Sequence, residues 1–192
     1  PMNIYGPPGT SKILDHLIAA CDIPQATGFS VPGQTLPHPR DFINSRDIQP
    51  GEILYIDDIR ISCCENTHYR PEDQFGKQGP ISLSYRFDAP DRSMVFTGDT
   101  GPCLALEEFA KNADLLVGEL FDTELVINRL RATNPDMSDH ALLQMRQHFD
   151  EHHLTPEDLG QLASRAGVKK VVAVHIPFIT KSAEEDAKYV SR

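Results

Sequence analysis

Ser93-Met94-Val95-Phe96-Thr97-Gly98-Asp99-Thr100 is the stretch that decides the fold. A short apolar run of strand texture enters a glycine turn and delivers a carboxylate at its end. Upstream, Ile53–Ile56, Ile59–Ser62 and Ile81–Phe87 alternate as strands do, and Asp88-Ala89-Pro90-Asp91-Arg92 is the turn into Ser93. Downstream, helix and strand alternate. Leu104–Lys111 is helical, Asp114–Gly118 is a short buried strand, and a long helical stretch covers roughly 122–152 with an interruption near Asn134-Pro135. Thr155 caps a further helix with Pro156 in its first turn; Leu159, Leu162, Ala163 and Ala166 form its inner face, and Gly167 ends it. Val171–Val174 is a last strand, and it delivers His175. The texture is α/β, without a linker, repeat or low-complexity tract, and predicts a single domain over residues 1–192.

At the other end of the chain, Asn3–Tyr5 is a strand that runs into Gly6-Pro7-Pro8-Gly9-Thr10. Thr10 or Ser11 is the expected cap of a helix through Ala20, with Ile13, Leu14, Leu17, Ile18 and Cys21 on one side. Residues 22–41 read as a long loop rich in proline and glycine. The turn cluster imitates a phosphate-binding loop, Gly-x-x-x-x-Gly-Lys-Ser/Thr, but Ser11 occupies the second glycine position and Ile13 the hydroxyl position. The backbone closure and the magnesium contact that such a loop needs are both missing, which excludes nucleotide hydrolysis by that route.

Composition sets further bounds. The 192 residues are about one domain's worth. Eighteen Lys and Arg against 28 Asp and Glu leave a formal charge of −10, which opposes non-specific nucleic-acid binding. The longest apolar runs, such as Val171–Val174, are too short to cross a bilayer. Cys21, Cys63, Cys64 and Cys103 contain no Cys-x-x-Cys pair and read as reduced thiols rather than a zinc ribbon or disulfide scaffold. The chain opens without a secretory signal, so a cytoplasmic location is the expectation.

Three polar residues stand at predicted strand ends: His68 after Ile59–Cys64, Asp99 after Ser93–Thr97, and His175 after Val171–Val174. Strand ends are where α/β folds gather their sites. Imidazole and carboxylate together suit zinc, manganese or iron. A lone histidine after a strand is more often a hydrogen-bonded structural group; the three together, one inside Thr97-Gly98-Asp99-Thr100, point to a metal. Tyr69, Arg70, Asp57-Asp58, Pro177-Phe178 and the acidic run Glu184-Glu185-Asp186 read more simply as surface or turn residues.

In this order the segments resemble the metallo-β-lactamase superfamily, in the branch that includes ribonuclease Z and the arylsulfatase-like hydrolases. Asn3–Thr10 is similar to that family's "strand, Gly-Pro, Gly" segment, and His68 with Ser82–Arg86 resembles its third metal motif. Val95–Thr100 resembles the fourth, Asp114–Glu119 the strand that ends in glutamate, His153-Leu154-Thr155 the His-Ser-Thr element with leucine in place of serine, and Val171–His175 the last motif. The family's main signature, His-x-His-x-Asp-His, is not in the sequence. The resemblance therefore implies an αββα sandwich of which this chain carries the later part, with an N-terminal portion lying upstream.

It also implies chemistry. Two Zn2+ ions, with Mn2+ or Fe as alternatives, would share Asp99; His68 and His175 would each bind one of them. A metal-activated hydroxide would attack a phosphodiester, sulfate ester or related ester. His153 would be the proton donor or oxyanion contact, oriented by Glu119, with His152 as an adjacent competitor. The charge favours a small-molecule substrate over tRNA. The alternatives are ribonuclease Z-like processing of tRNA 3′ ends and an incomplete or non-catalytic member of the fold. Exposed sheet edges make a homodimer a further expectation.

Overall fold

A computed structural model describes residues 1–26, 33, 37–69 and 79–177. Arg70, Phe178, the run Glu184–Asp186 and part of the 22–41 loop lie outside the described residues. The chain divides into two compact units, Pro1–Glu52 and Ile53–Arg192.

In the first unit, strand β1 (Met2–Gly6) pairs in parallel with β2 (Ile43–Asp47), from Met2 opposite Ile43 to Gly6 opposite Asp47. A parallel pair needs a crossover, and helix α1 (Thr10–Ala20) with the short α2 (Asp22–Ala26) begins it. A 3-10 turn at Pro39–Asp41 precedes β2. So the region read as loop carries two helical turns.

The expected hydroxyl cap of α1 does not form. Gly9 takes the N-cap position with a left-handed φ of 101°, and Thr10 Oγ1 donates back to Pro7 O at 2.7 Å. The Asp47 carboxylate instead accepts from Gly9 N and Ser11 N, each at 2.8 Å. These two amides, Ser11's first, hold the Asp47 carboxyl below its ordinary range. A helix N-terminus is an anion site; here the end of β2 supplies the anion, from 36 and 38 residues away. The phosphate-loop look-alike is thus occupied by the protein's own carboxylate.

Among the described residues, the second unit holds a six-stranded mixed sheet in sequential order: β3 (Ile53–Ile56), β4 (Ile59–Glu65), β5 (Leu83–Asp88), β6 (Ser93–Phe96), β7 (Leu115–Glu119) and β8 (Val171–Val174). β3 to β6 are antiparallel neighbours; β6, β7 and β8 run parallel. Short turns join β3 to β4 and β5 to β6, and Asp57 at the β3–β4 turn has φ 51°. The parallel strands need helical crossovers. Helix α3 (Leu104–Phe109) links β6 to β7. Helices α4 (Thr123–Thr133), α5 (Asp139–His152) and α6 (Pro156–Ala166) link β7 to β8. The break between α4 and α5 falls at the expected Asn134-Pro135.

One core joins sheet and helices. Val95 and Leu116 of the parallel strands pack with Leu106 and Ala110 at α3 and with Leu159, Leu162 and Ala166 of α6, all buried. Burying each Leu side chain is worth about 1.5–3 kcal/mol. Gly118 makes the approach of α6 possible, since a Cβ there would collide with Leu159 Cδ1. Helix α6 is well specified locally. Thr155 and Asp158 form a capping box, Pro156 occupies the first turn, and Gly167 ends the helix with φ 67°. The consequence for function is directional: β6, β7 and β8 end at one edge of the sheet, and their last residues lead directly to Asp99, Glu119 and His175. Among the described residues, no helix is long and apolar enough to cross a membrane.

Candidate active site

The turn that carries Asp99 is pinned from below. Gly98 has φ 62°, which bends the chain away from β6. Buried Ser84 Oγ donates to Thr97 O at 2.6 Å, and buried Asn66 Nδ2 donates to the same carbonyl at 3.0 Å. Asn66 Oδ1 in turn accepts from His68 N at 3.2 Å, and Thr67 N donates to Thr100 Oγ1 at 3.3 Å. The loops after β4 and β6 are therefore stitched together by satisfied buried polar groups, a rigid arrangement.

Glu119, the last residue of β7, is 1% exposed. Its Oε1 accepts from Thr100 N, and its Oε2 accepts from His153 Nδ1 at 2.8 Å. His175 Nδ1 lies 3.4 Å from the same Oε2 and 3.3 Å from Asp99 Oδ1. One potential ligand atom from each of Asp99, Glu119, His153 and His175 falls within 4.8 Å of the others. A buried carboxylate is costly unless it is paired and hydrogen-bonded, and Glu119 is both. Since a carboxylate only accepts, His153 Nδ1 carries the proton of that bond, leaving Nε2 as the bare nitrogen.

His153 reaches Glu119 because α5 ends at it. It is the C-cap, extended at φ −134° and ψ 154°, with its N–H donating to Phe149 O. His175 follows β8 with φ 53°, a left-handed conformation that few non-glycine residues adopt, histidine more readily than most. Such conformations persist where the surroundings hold them and concentrate at functional sites.

Of the sequence-derived candidates, Asp99, Glu119, His153 and His175 come together, and His68 borders the group without joining it. Its ring lies 5.2 Å from that of His153, centroid to centroid, while its Nδ1 donates to the His152 carbonyl at 3.1 Å. A carbonyl acceptor fixes the tautomer, so His68 also keeps a bare Nε2, the state a metal-binding imidazole needs. The His152 ring belongs elsewhere. It is buried, its Nδ1 has no hydrogen-bond partner among the described residues, and it packs at 4.6 Å from the ring of His148. Burial, and then His152, lowers the His148 pKa. Cys64 is pushed up to about 12, by burial first and then by Cys103 and Cys63, so it is a neutral thiol and not a nucleophile at neutral pH. Sequence reasoning missed Asn66, Thr100 and Phe121, whose roles arise from neighbours distant in the chain.

The family model for the β-lactamase superfamily domain matches residues 1–176, nearly the whole chain. The chain belongs to the metallo-β-lactamase superfamily. A ribonuclease Z from Mycobacterium sp. (strain KMS) is 27% identical over 190 residues, which cover 97% of this chain and 58% of that protein. The metallo-β-lactamase fold protein YhfI from Bacillus subtilis superposes with a TM-score of 0.57 at 15% identity, over 98% of this chain and 57% of its own. Zn2+-bound PqqB from Methylobacterium extorquens does so with a TM-score of 0.56 at 14% identity, over 100% and 60%. The chain thus spans little more than half the length of the relatives it matches. This metallo-β-lactamase-superfamily chain carries the mixed α/β architecture read from its sequence, and its donor set, imidazoles beside carboxylates, fits the metal ions that the fold implies.

Proposed function

We propose that this chain forms part of a metal-dependent hydrolase that cleaves a phosphodiester, sulfate ester or related ester of a small molecule. The observation that carries the reading is the convergence of Asp99, Glu119, His153 and His175 at the end of three parallel strands. Within the group, exposure separates two tasks. The side chains of Asp99 and His175 are 37% and 50% exposed, whereas Glu119 and His153 lie beneath them, 1% and 10% exposed. Asp99 and His175, with His68 through Nε2, are the residues that would hold metal, and Asp99 has two carboxylate oxygens with which to serve two ions. Zn2+ is the leading choice, two ions per complete site, with Mn2+ or Fe as alternatives. Bound there, the metal supplies Lewis acidity and a nucleophile at neutral pH.

The inner pair handles the proton. Glu119 Oε2 accepts the Nδ1–H of His153 and favours the imidazolium that forms when Nε2 takes up a proton from water. Nε2 then returns that proton to the leaving oxygen, or donates a hydrogen bond to developing oxyanion charge. Thr100 N, bonded to the other Glu119 oxygen, keeps the carboxylate from turning. Burial of the pair excludes water that would compete for these bonds.

A second reading is ribonuclease Z-like cleavage of tRNA precursors, supported by the 27% identity to a ribonuclease Z. The −10 charge weighs against it. The complete native protein, assayed with a chromogenic phosphodiester and with a tRNA precursor, separates the two. Turnover of the small ester with no cleavage of the tRNA supports the first reading, and the opposite pattern supports the second. Absence of both bound metal and turnover would instead indicate a non-catalytic member of the superfamily.

A further inference from the structure

One hydrogen bond does not fix an imidazole. His153 Nδ1 is held by Glu119, but the ring can still swing about that bond and carry Nε2 with it. A second constraint is needed, and Phe121 supplies it. The Phe121 ring lies on the His153 ring, with centroids 4.6 Å apart and planes 23° apart. Phe149, from the last turns of α5, packs against Phe121 at 4.8 Å. On the same imidazole, the His175 ring is nearly parallel, at 5.9 Å and 26°. Phe121 is itself anchored: it follows Glu119 by two residues, and its N–H donates to Leu154 O at 2.8 Å, next in the chain after His153. The backbone bond brings the two segments together, and the ring then sets the plane.

We infer that Phe121 is a positioning residue, which holds the plane of His153 so that Nε2 keeps its alignment with the reacting atoms while Glu119 holds Nδ1. The inference rests on the reading of His153 as the proton-handling ring. Phe121 has a competing use, because it also lines a cavity of about 540 Å³ with Val174, His175, Ile176 and Pro177, where it could act merely as a wall for substrate. The two uses differ in what they move. A wall changes KM, whereas an alignment device changes kcat and the environment of the His153 ring protons.

The test compares Phe121→Leu, Phe121→Tyr and His153→Ala with the unaltered complete protein, metal-loaded, on a chromogenic phosphodiester. It adds the proton NMR spectrum of the His153 ring, assigned by its loss in His153→Ala. With Phe121→Leu, kcat should fall about tenfold or more with KM within about twofold and bound metal unchanged. The His153 ring protons should move downfield as the overlying ring is lost. Phe121→Tyr, which keeps an aromatic face, should restore kcat to within about threefold and return the resonances. A Phe121→Leu protein with raised KM, unaltered kcat and unmoved His153 resonances would overturn the positioning role while leaving an inactive His153→Ala protein explained. Full turnover in His153→Ala would overturn the reading of His153 and this inference with it.

Discussion

Glu119 is the residue on which the inner part of the site turns, because it is fully buried and receives bonds from both an amide and an imidazole. Glu119→Gln keeps the volume and removes the charge. It should lower kcat roughly 10²- to 10⁴-fold, the usual range for losing acid–base support, and change bound metal little; metal content by atomic absorption checks the second half. Loss of metal together with rate would make Glu119 a ligand rather than an orienting group. Gly101 offers a test of geometry without charge. A Cβ there would collide with Glu151 O and lie 2.8 Å from the Glu151 carbonyl carbon, both backbone atoms next to His152 and His153. Gly101→Ala should therefore force the end of α5 outward, costing about 1–3 kcal/mol of stability as overpacking does, with a lower melting midpoint as the readout. Stability equal to the parent would show that α5 ends more loosely than the structure has it.

At the scale of elements, polar contacts made across long stretches of chain lock the ends of strands and helices. Asp114, just before β7, accepts from Ser93 N at 2.7 Å and from Lys169 Nζ at 2.6 Å, joining the starts of β6 and β7 to the segment that leads into β8. The Lys169 bond first, and then that from Ser93, lowers the Asp114 carboxyl from 3.8 to about 2. A carboxylate with a depressed pKa contributes stability above its unfolded value and loses it as pH falls through the folded one. The contribution should therefore fade between pH 3.8 and about 2, and Asp114→Asn should flatten the pH dependence of the unfolding midpoint in that window. An unchanged slope would show that the carboxylate is not held in solution as it is in the structure. The cap of α6 is a local counterpart. Thr155→Ala removes both the bond to Asp158 N and the capping box, and should cost about 1 kcal/mol in chemical denaturation.

These elements also show where the amino-acid sequence was legible. Helix α6 could be read because every signal lies within its own thirteen residues, Thr155 to Gly167. The strand ends at Asp99 and His175 could be read because an apolar run stops at a polar residue. Strand β2 could not, since Ile43-Asn44-Ser45-Arg46-Asp47 is mostly polar and is a strand only through its pairing with β1. The Asp47 cap of α1 and the Phe121–His153 stack were hidden for the same reason, being contacts between segments far apart in the chain. His68 shows the difference between type and place. Its residue type marked it as a ligand candidate, but only the structure reveals that the His152 carbonyl, 84 residues away, selects its tautomer.

For the molecule as a whole, the sheet is a platform whose three parallel strands carry the chemical groups to one edge, while α3 and α6 seal its core from behind. That division lets the core be changed without touching the chemistry. Leu106→Ala, fully buried against α6, should cost about 2–5 kcal/mol yet leave kcat near the parent value at temperatures where the protein is folded. The most direct test of the whole scheme is metal content measured together with phosphodiester turnover in the complete native protein and in its Asp99→Ala variant. Bound metal with turnover in the parent, and loss of both in a variant that still folds, is the expected result. Undiminished metal and turnover after Asp99→Ala would contradict it.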